Sequence, residues 1–378
     1  MKKIFLLLSI FISIQAKSQI NLFPYPVGLP INTINTAVPF LRITPDACTG
    51  GMGDAGISNE PDIHSIYWNT SKLVFSKNNF GISASYTPWL KEIVNDIFLS
   101  DVSVFQKIDS VNAITASARY FSLGNITFTN ITGQVLGNFN PREFTTHIGY
   151  SRKLATNFST GINLGYVYSN LAARQSVSGI PIKAGTAAMV DLSFTYSNPF
   201  KQNSIFKKYN FGLAISNFGN KISYTQQSLN KDFLPANLGI GSSFQFQFNE
   251  ITKISISLDA NKLLVPTPDS AGNFRNKSVL IGALQSFSDA PGGFAEELTE
   301  INYAAGVEYN LFERFFFRGG YFYEYPNKGN RQYVTVGAGF RFRFLQLDIS
   351  DLLPTSNQKN PLDNTLRISL SMLFPNRK

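Results

Sequence analysis

ITKISISLDA, residues 251–260, alternates along most of its length, with Ile254, Ile256, Leu258 and Ala260 on one side and Lys253, Ser255, Ser257 and Asp259 on the other. A repeat of two is the signature of a β-strand with chemically different faces. The length, roughly ten residues, suits a strand crossing a bilayer at a tilt. LQLDIS (345–350) repeats the pattern, with Leu345, Leu347 and Ile349 opposite Gln346, Asp348 and Ser350. So does LRISLSMLF (366–374), which sets Leu366, Ile368, Leu370, Met372 and Phe374 against Arg367, Ser369 and Ser371. A soluble sandwich alternates in the same way, so the choice between the two falls to the connections.

Extending the reading outward gives strands over 80–88, 99–108, 111–121, 143–153, 158–170, 185–197, 208–217, 236–248, 251–262, 300–311, 315–324, 332–342, 345–352 and 364–374. Short links (109–110, 154–157, 249–250, 312–314) alternate with long ones (122–142, 218–235, 263–299). Short turns at one end and long loops at the other are the mark of an outer-membrane barrel, with the turns periplasmic and the loops extracellular. The expected fold class is therefore all-β, a transmembrane antiparallel β-barrel of about fourteen strands with both chain ends in the periplasm.

The first residues, MKKIFLLLSIFISIQAKSQ, place Lys2 and Lys3 before an apolar run too short to span a membrane as a helix. Residues 1–18 read as a secretory leader cut between Ser18 and Gln19. The chain is rich in aromatics, with 34 Phe and 16 Tyr against 4 Met, which favours half-buried pleated surfaces over helices. Cys48 has no partner for an intramolecular disulfide, and with His64 and His147 it makes no metal-ligand spacing. The net charge is +9, of which Lys2, Lys3 and Lys17 belong to the leader. The remaining excess is thinly spread and suits lipid phosphates or a solvated rim better than nucleic acid.

Residues 19–79 precede the expected barrel, which fills 80–378. They alternate poorly and are punctuated by Pro24, Pro26, Gly28, Pro30, Pro39, Pro45 and Gly56. They also carry Leu41, Ile43, Ile57, Ile63, Ile66, Tyr67 and Leu73, too much apolar surface for a solvated arm. The expectation is a periplasmic hatch, plugging the mouth of the barrel.

Two stretches carry a family resemblance. RITPDACTGGMGDAGIS (42–58) and IYWNTSKL (66–73) resemble the start of FadL-like barrels, with Thr70 and Ser71 where a Pro-Ala pair is usual. This marks Asp46, Gly50, Gly51, Met52, Gly53, Asp54, Trp68 and Asn69 as a candidate hatch motif. SYTPWL (85–90), VNDIFL (94–99), ARYFSLGNI (118–126), NKLLVPTP (261–268) and SFSDAPGGFAEEL (286–298) resemble the PorV family of the type IX secretion system. The resemblance implies a Gram-negative outer-membrane component that takes exported cargo by its C-terminal signal domain. Cargo would arrive from a SprA/Sov-type translocon and pass to a PorU-type sortase, which does the chemistry. The C-terminal strand also resembles a barrel-insertion signal, with Ser369 in place of its usual glycine.

Local chemistry offers nothing catalytic to set against this. The cluster Gly50, Gly51 and Gly53 lacks the lysine and hydroxyl of a phosphate loop and reads as turn geometry. His64 and His147 lie far apart with no nucleophile elbow in view, so an outer-membrane hydrolase is a remote third reading. Neither a cofactor nor a catalytic or metal-binding residue is expected. Glu296, Glu297 and Glu300 sit in or beside the longest link, near Phe294, Leu298 and Ile301, whose spacing fits a short helix that is either solvated or partner-facing. Trp89 reads as an interfacial belt residue or a contact residue. Trp89, Phe294, Glu297 and Leu298 thus form the candidate partner-facing loop. The runner-up function is a FadL-like channel for hydrophobic small molecules, which requires an apolar pocket near the hatch and a gap in the wall.

Overall fold

The computed structural model describes residues 31–89, 96–129, 132–172, 176–177, 180–200, 205–225, 231–269, 272–356 and 365–375. The expected leader and its cleavage site at Ser18 and Gln19 lie outside the described residues. In chain order the strands are β1 (Asn78–Pro88), β2 (Ile97–Lys107), β3 (Asn112–Leu123), β4 (Ile126–Thr129), β5 (Val135–Phe139), β6 (Arg142–Ala155), β7 (Phe158–Asn170), β8 (Ser176–Val177), β9 (Ile180–Pro181), β10 (Gly185–Pro199), β11 (Phe206–Gly219), β12 (Asn237–Gln247), β13 (Thr252–Leu263), β14 (Ile301–Leu311), β15 (Phe315–Tyr323), β16 (Gln332–Phe342), β17 (Leu345–Pro354) and β18 (Arg367–Pro375). Fourteen of them close a ring, β1-β2-β3-β6-β7-β10-β11-β12-β13-β14-β15-β16-β17-β18 and back to β1, each antiparallel to its neighbours. The hairpins β4/β5 and β8/β9 stand apart within long links and were not foreseen from the alternation.

The alternation that decided the fold is buried the opposite way round from a soluble protein. In β13, Leu258 is 50% exposed while Ser257 and Asp259 are buried. In β18, Ile368, Leu370, Met372 and Phe374 face out while Arg367, Ser369 and Ser371 are buried. A water-soluble sandwich would bury the isoleucines; only a lipid solvent makes this arrangement favourable. Aromatic rings gather outside at both rims. Phe80, Phe344 and Phe374 pack together at the short-turn end, and Tyr86, Phe98 and Tyr120 at the other. These are the girdles expected where a barrel wall meets lipid headgroups.

Among the described residues, no helix is long and apolar enough to cross a membrane. Ahead of β1 the described residues form only short helical turns, Pro39–Arg42, Ala47–Gly50, Ser65–Trp68 and Thr70–Phe75, and run inside the ring. The described part of the expected hatch thus lies within the ring and not below it. Asn32 N–H donates to Asn327 O and Ala37 N–H to Phe233 O, both in links at the long-loop end. Asn78 pairs with Pro375 at the short-turn end. The segment therefore traverses the lumen from end to end. Sequence could not show this, because the anchors are hundreds of residues away along the chain.

Replacing Leu258, at the centre of β13, by arginine is expected to cost about 2–4 kcal/mol in unfolding from liposomes. A half-exposed leucine on a soluble surface would change stability by less than about 0.5 kcal/mol. Urea titration of the reconstituted protein separates the two.

Candidate functional site

The residues of the hatch motif hold the segment to the wall. With only helices of four to six residues, the described hatch cannot satisfy its own backbone groups, and buried N–H and C=O groups must find partners. The inward polar residues of the strands supply them. Asp259 accepts from Ile57 N–H at 2.8 Å, Thr335 from Gly53 N–H at 2.8 Å and Ser369 from Ala47 N–H at 2.9 Å. Ser159, Asn163 and Ser243 donate to the carbonyls of Ser71, Ile66 and Ser58.

Within that frame Asp46 caps the turn Ala47–Gly50 by accepting from Thr49 N–H at 2.7 Å, and its second oxygen takes the Trp68 indole N–H at 3.1 Å. Asn69 donates to Ile57 O and Thr195 Oγ1. Asp54 accepts the Tyr333 hydroxyl. Gly50 abuts Arg367 and Gly51 abuts Gly337. The backbone of Met52 and Gly53 lies so close to Gly320 that a Cβ there would stand 2.1 Å from Gly53 N. Gly53 itself has φ +65, a conformation that costs glycine nothing. Turn geometry is thus what this glycine cluster provides.

Several buried charges went unnoticed in the sequence. Lys72 donates to Gly56 O at 2.6 Å, and Arg318 bridges Glu308 and Asp348 at 2.8 and 2.6 Å. The one local signal available is a charge at an inward position of a strand. Arg318 follows that rule in β15, while Lys72, in the hatch, had none. Between the hatch, at Phe40, Leu41, Tyr67 and Trp68, and the wall remains a cavity of about 270 Å³. Trp89 and Phe121 pack at 5.6 Å on one side, and Phe322 stacks on Tyr333 at 4.9 Å on the other. Arg42, Arg119, Arg331 and Arg367 also line it. His147 and Asp191 meet at its edge, but Nε2 is 3.9 Å from the carboxylate and, among the described residues, no hydroxyl hydrogen-bonds the ring. There is likewise no cluster of metal-ligating side chains among the described residues.

Trp89 belongs to this cavity, buried at 9% exposure, and not to the lipid belt or to the loop surface. Ser83, Ser85 and Thr87 of β1 point inward, and Trp89 continues their parity.

The longest link, between β13 and β14, is folded and tied down. Lys262 reaches Glu297 at 3.0 Å and Glu300 at 2.7 Å, while Lys328 bonds Glu296 and, at 2.9 Å, Glu300. Thr267 donates to Glu300 and the Ala290 N–H to Glu297. Glu297 is consequently buried, which removes it from the partner-facing set; Phe294 (76% exposed) and Leu298 (48%) stay outside. Partial burial raises the Glu296 pKa, but hydrogen bonds from Lys328 and the Gly292 N–H, the Lys328 charge and the Asn32 amide outweigh it. The carboxyl is held below its ordinary value of 4.5.

Comparison with known proteins gives a family and a fold. The model of the family described as "Type IX secretion system protein PorV" matches residues 30–270. No curated protein matches. Among solved structures, the toluene transporter TodX of P. putida is 12% identical, with a TM-score of 0.51 over 89% of this chain and 100% of its own. The monoaromatic hydrocarbon channel CymD is 14% identical, with a TM-score of 0.51 over 89% and 99%. At such identities the likeness is one of fold.

Replacing Gly320 by valine should force the hatch off the wall and cost roughly 2 kcal/mol or more by overpacking, seen as a lower melting temperature and faster proteolysis within 44–60. Glu300→Gln breaks buried ion pairs, a loss of about 3–5 kcal/mol for the loop, and should expose 264–300 to trypsin. Because the Glu296 pKa is depressed on folding, its contribution is present at neutral pH and lost as pH falls through the lowered value. Loop protection should therefore survive at pH 4.5 and fail in stronger acid.

Proposed function

The chain belongs to the PorV family of type IX secretion proteins, and we propose that it binds the C-terminal signal domain of exported cargo with its long-loop end. It would receive cargo from a SprA/Sov-type translocon and release it to a PorU-type sortase. The outer membrane is its location, and the long loops face the cell exterior. It performs no chemistry of its own; cleavage and attachment fall to the sortase.

The family match over 30–270 carries this reading. Two features of the molecule support it. The lumen is largely filled by the hatch, so a folded polypeptide finds its binding surface outside the ring. The pre-folded 264–300 link offers Phe294 and Leu298 beyond the rim, where recognition residues on a rigid scaffold are expected.

The aromatic cavity of about 270 Å³ favours a second reading, a channel for small hydrophobic molecules. Against it, every adjacent pair of wall strands is hydrogen-bonded around the ring, and arginines share the lining.

A strain lacking the protein should retain or misprocess type IX cargo, and restoring the Phe294→Ser, Leu298→Ser double variant should not recover surface attachment. Normal cargo processing in the deletion strain overturns the proposal.

A further inference from the structure

Helix Val279–Gln285, in the link between β13 and β14, is built inside out. Gly282 and Ala283 are buried, Gly282 against Pro266 and Phe233, while Leu280 (61% exposed), Ile281 (51%) and Leu284 (67%) point away. Phe287, just beyond the helix, is 48% exposed. Small residues in and large apolar ones out is the pattern of the barrel wall, favourable in lipid and costly in water. Exposed apolar patches mark protein or membrane contacts, and the neighbours of this one decide between them.

Ala283 shares a packed cluster with Ile215 and Leu238, and both of these stand on the outer face of the wall. Leu192, Ile215, Leu238 and Lys262 are successive cross-strand partners on β10 to β13, and such partners point to the same side. Leu192 is 43% exposed, and Lys262 shares its parity with the outward Leu258. The intervening position on β12, Gly239, is filled from within by Ile57 of the hatch. This part of the link therefore folds over the outside of the barrel. Its level follows from β14, where Ile301 pairs with Lys262. One outward step nearer the middle of the wall, Tyr303 is 48% exposed, with Tyr323 opposite it. Tyrosines so placed mark the boundary between acyl chains and headgroups. Lys262 brings a charge to that boundary, and the link neutralises it with Glu297 and Glu300.

We propose that this helix is a membrane contact, with Leu280, Ile281, Leu284 and Phe287 set about 5–10 Å into the headgroup–acyl boundary beside β11 to β13. Its exposed face prolongs a row of wall residues that already meets lipid, so the bilayer is its occupant. The link is then held from two sides, by ion pairs to the wall and by lipid. Neither Phe294 nor Leu298 takes part, so the contact stands or falls apart from the cargo reading. Leu284→Trp, and separately Ile281→Trp, in the full chain reconstituted into phosphatidylcholine vesicles tests it. The two native tryptophans, Trp68 and Trp89, line the luminal cavity and give a background that lipid does not reach. Bromination of the acyl chains should quench most of the added emission, and more strongly near the headgroup end than near the terminal methyl. Added emission that bromination leaves unchanged, whether red-shifted in water or blue-shifted beneath a second copy of the chain, overturns the proposal.

Discussion

Everything in this molecule depends on the rule that no backbone polar group can be left unpaired in lipid. For the wall, the rule dictates a closed ring, and β1 pairing with β18 completes it. Closure leaves an inner face of serines, threonines, asparagines and charges, and that face has its own need for partners. Here the hatch meets it. Its short helices leave N–H and C=O groups open, and the strand side chains fill them, Asp259 to Ile57 and Thr335 to Gly53 among others. Wall and hatch are each incomplete alone, and their hydrogen-bonding deficits are complementary.

The barrel was legible because its signal is local. A period of two survives within any ten residues, and the lengths of successive links add the two-ended pattern without any knowledge of contacts. The burial of Leu258 against Asp259 then distinguishes lipid from water, which no count of alternating residues could do. The candidate site was legible only in part. Phe294 and Leu298 stand outside, but Glu297 is drawn in by Lys262, 35 positions earlier, and Lys328 joins the same cluster from another loop. Pairing of that kind has no sequence period. Trp89 is a different case, since its parity with Ser83, Ser85 and Thr87 was available, and the rule that tryptophan favours the membrane interface overrode it.

The hatch motif is similarly double in meaning. Asp46, Gly53, Asp54 and Asn69 resemble a family signature, yet each is accounted for by the hydrogen bond or close approach it makes inside the barrel. Their role in this chain is to secure the hatch.

A lumen already occupied by hydrogen-bonded hatch leaves space for a small molecule at most, about 270 Å³, whereas recognition of a protein domain needs hundreds of square ångströms of surface. Under the proposed function, that area is sought at the long-loop end. Loose loops there would pay a large ordering entropy on binding; the Lys262–Glu297–Glu300–Lys328 cluster removes much of that cost in advance by fixing the longest link. Four charges buried together are difficult to explain as stabilisation alone, since apolar residues of similar volume often do as well or better. Holding one loop in one shape, with its apolar side outward, is a purpose that such a cluster serves and a hydrophobic patch would not.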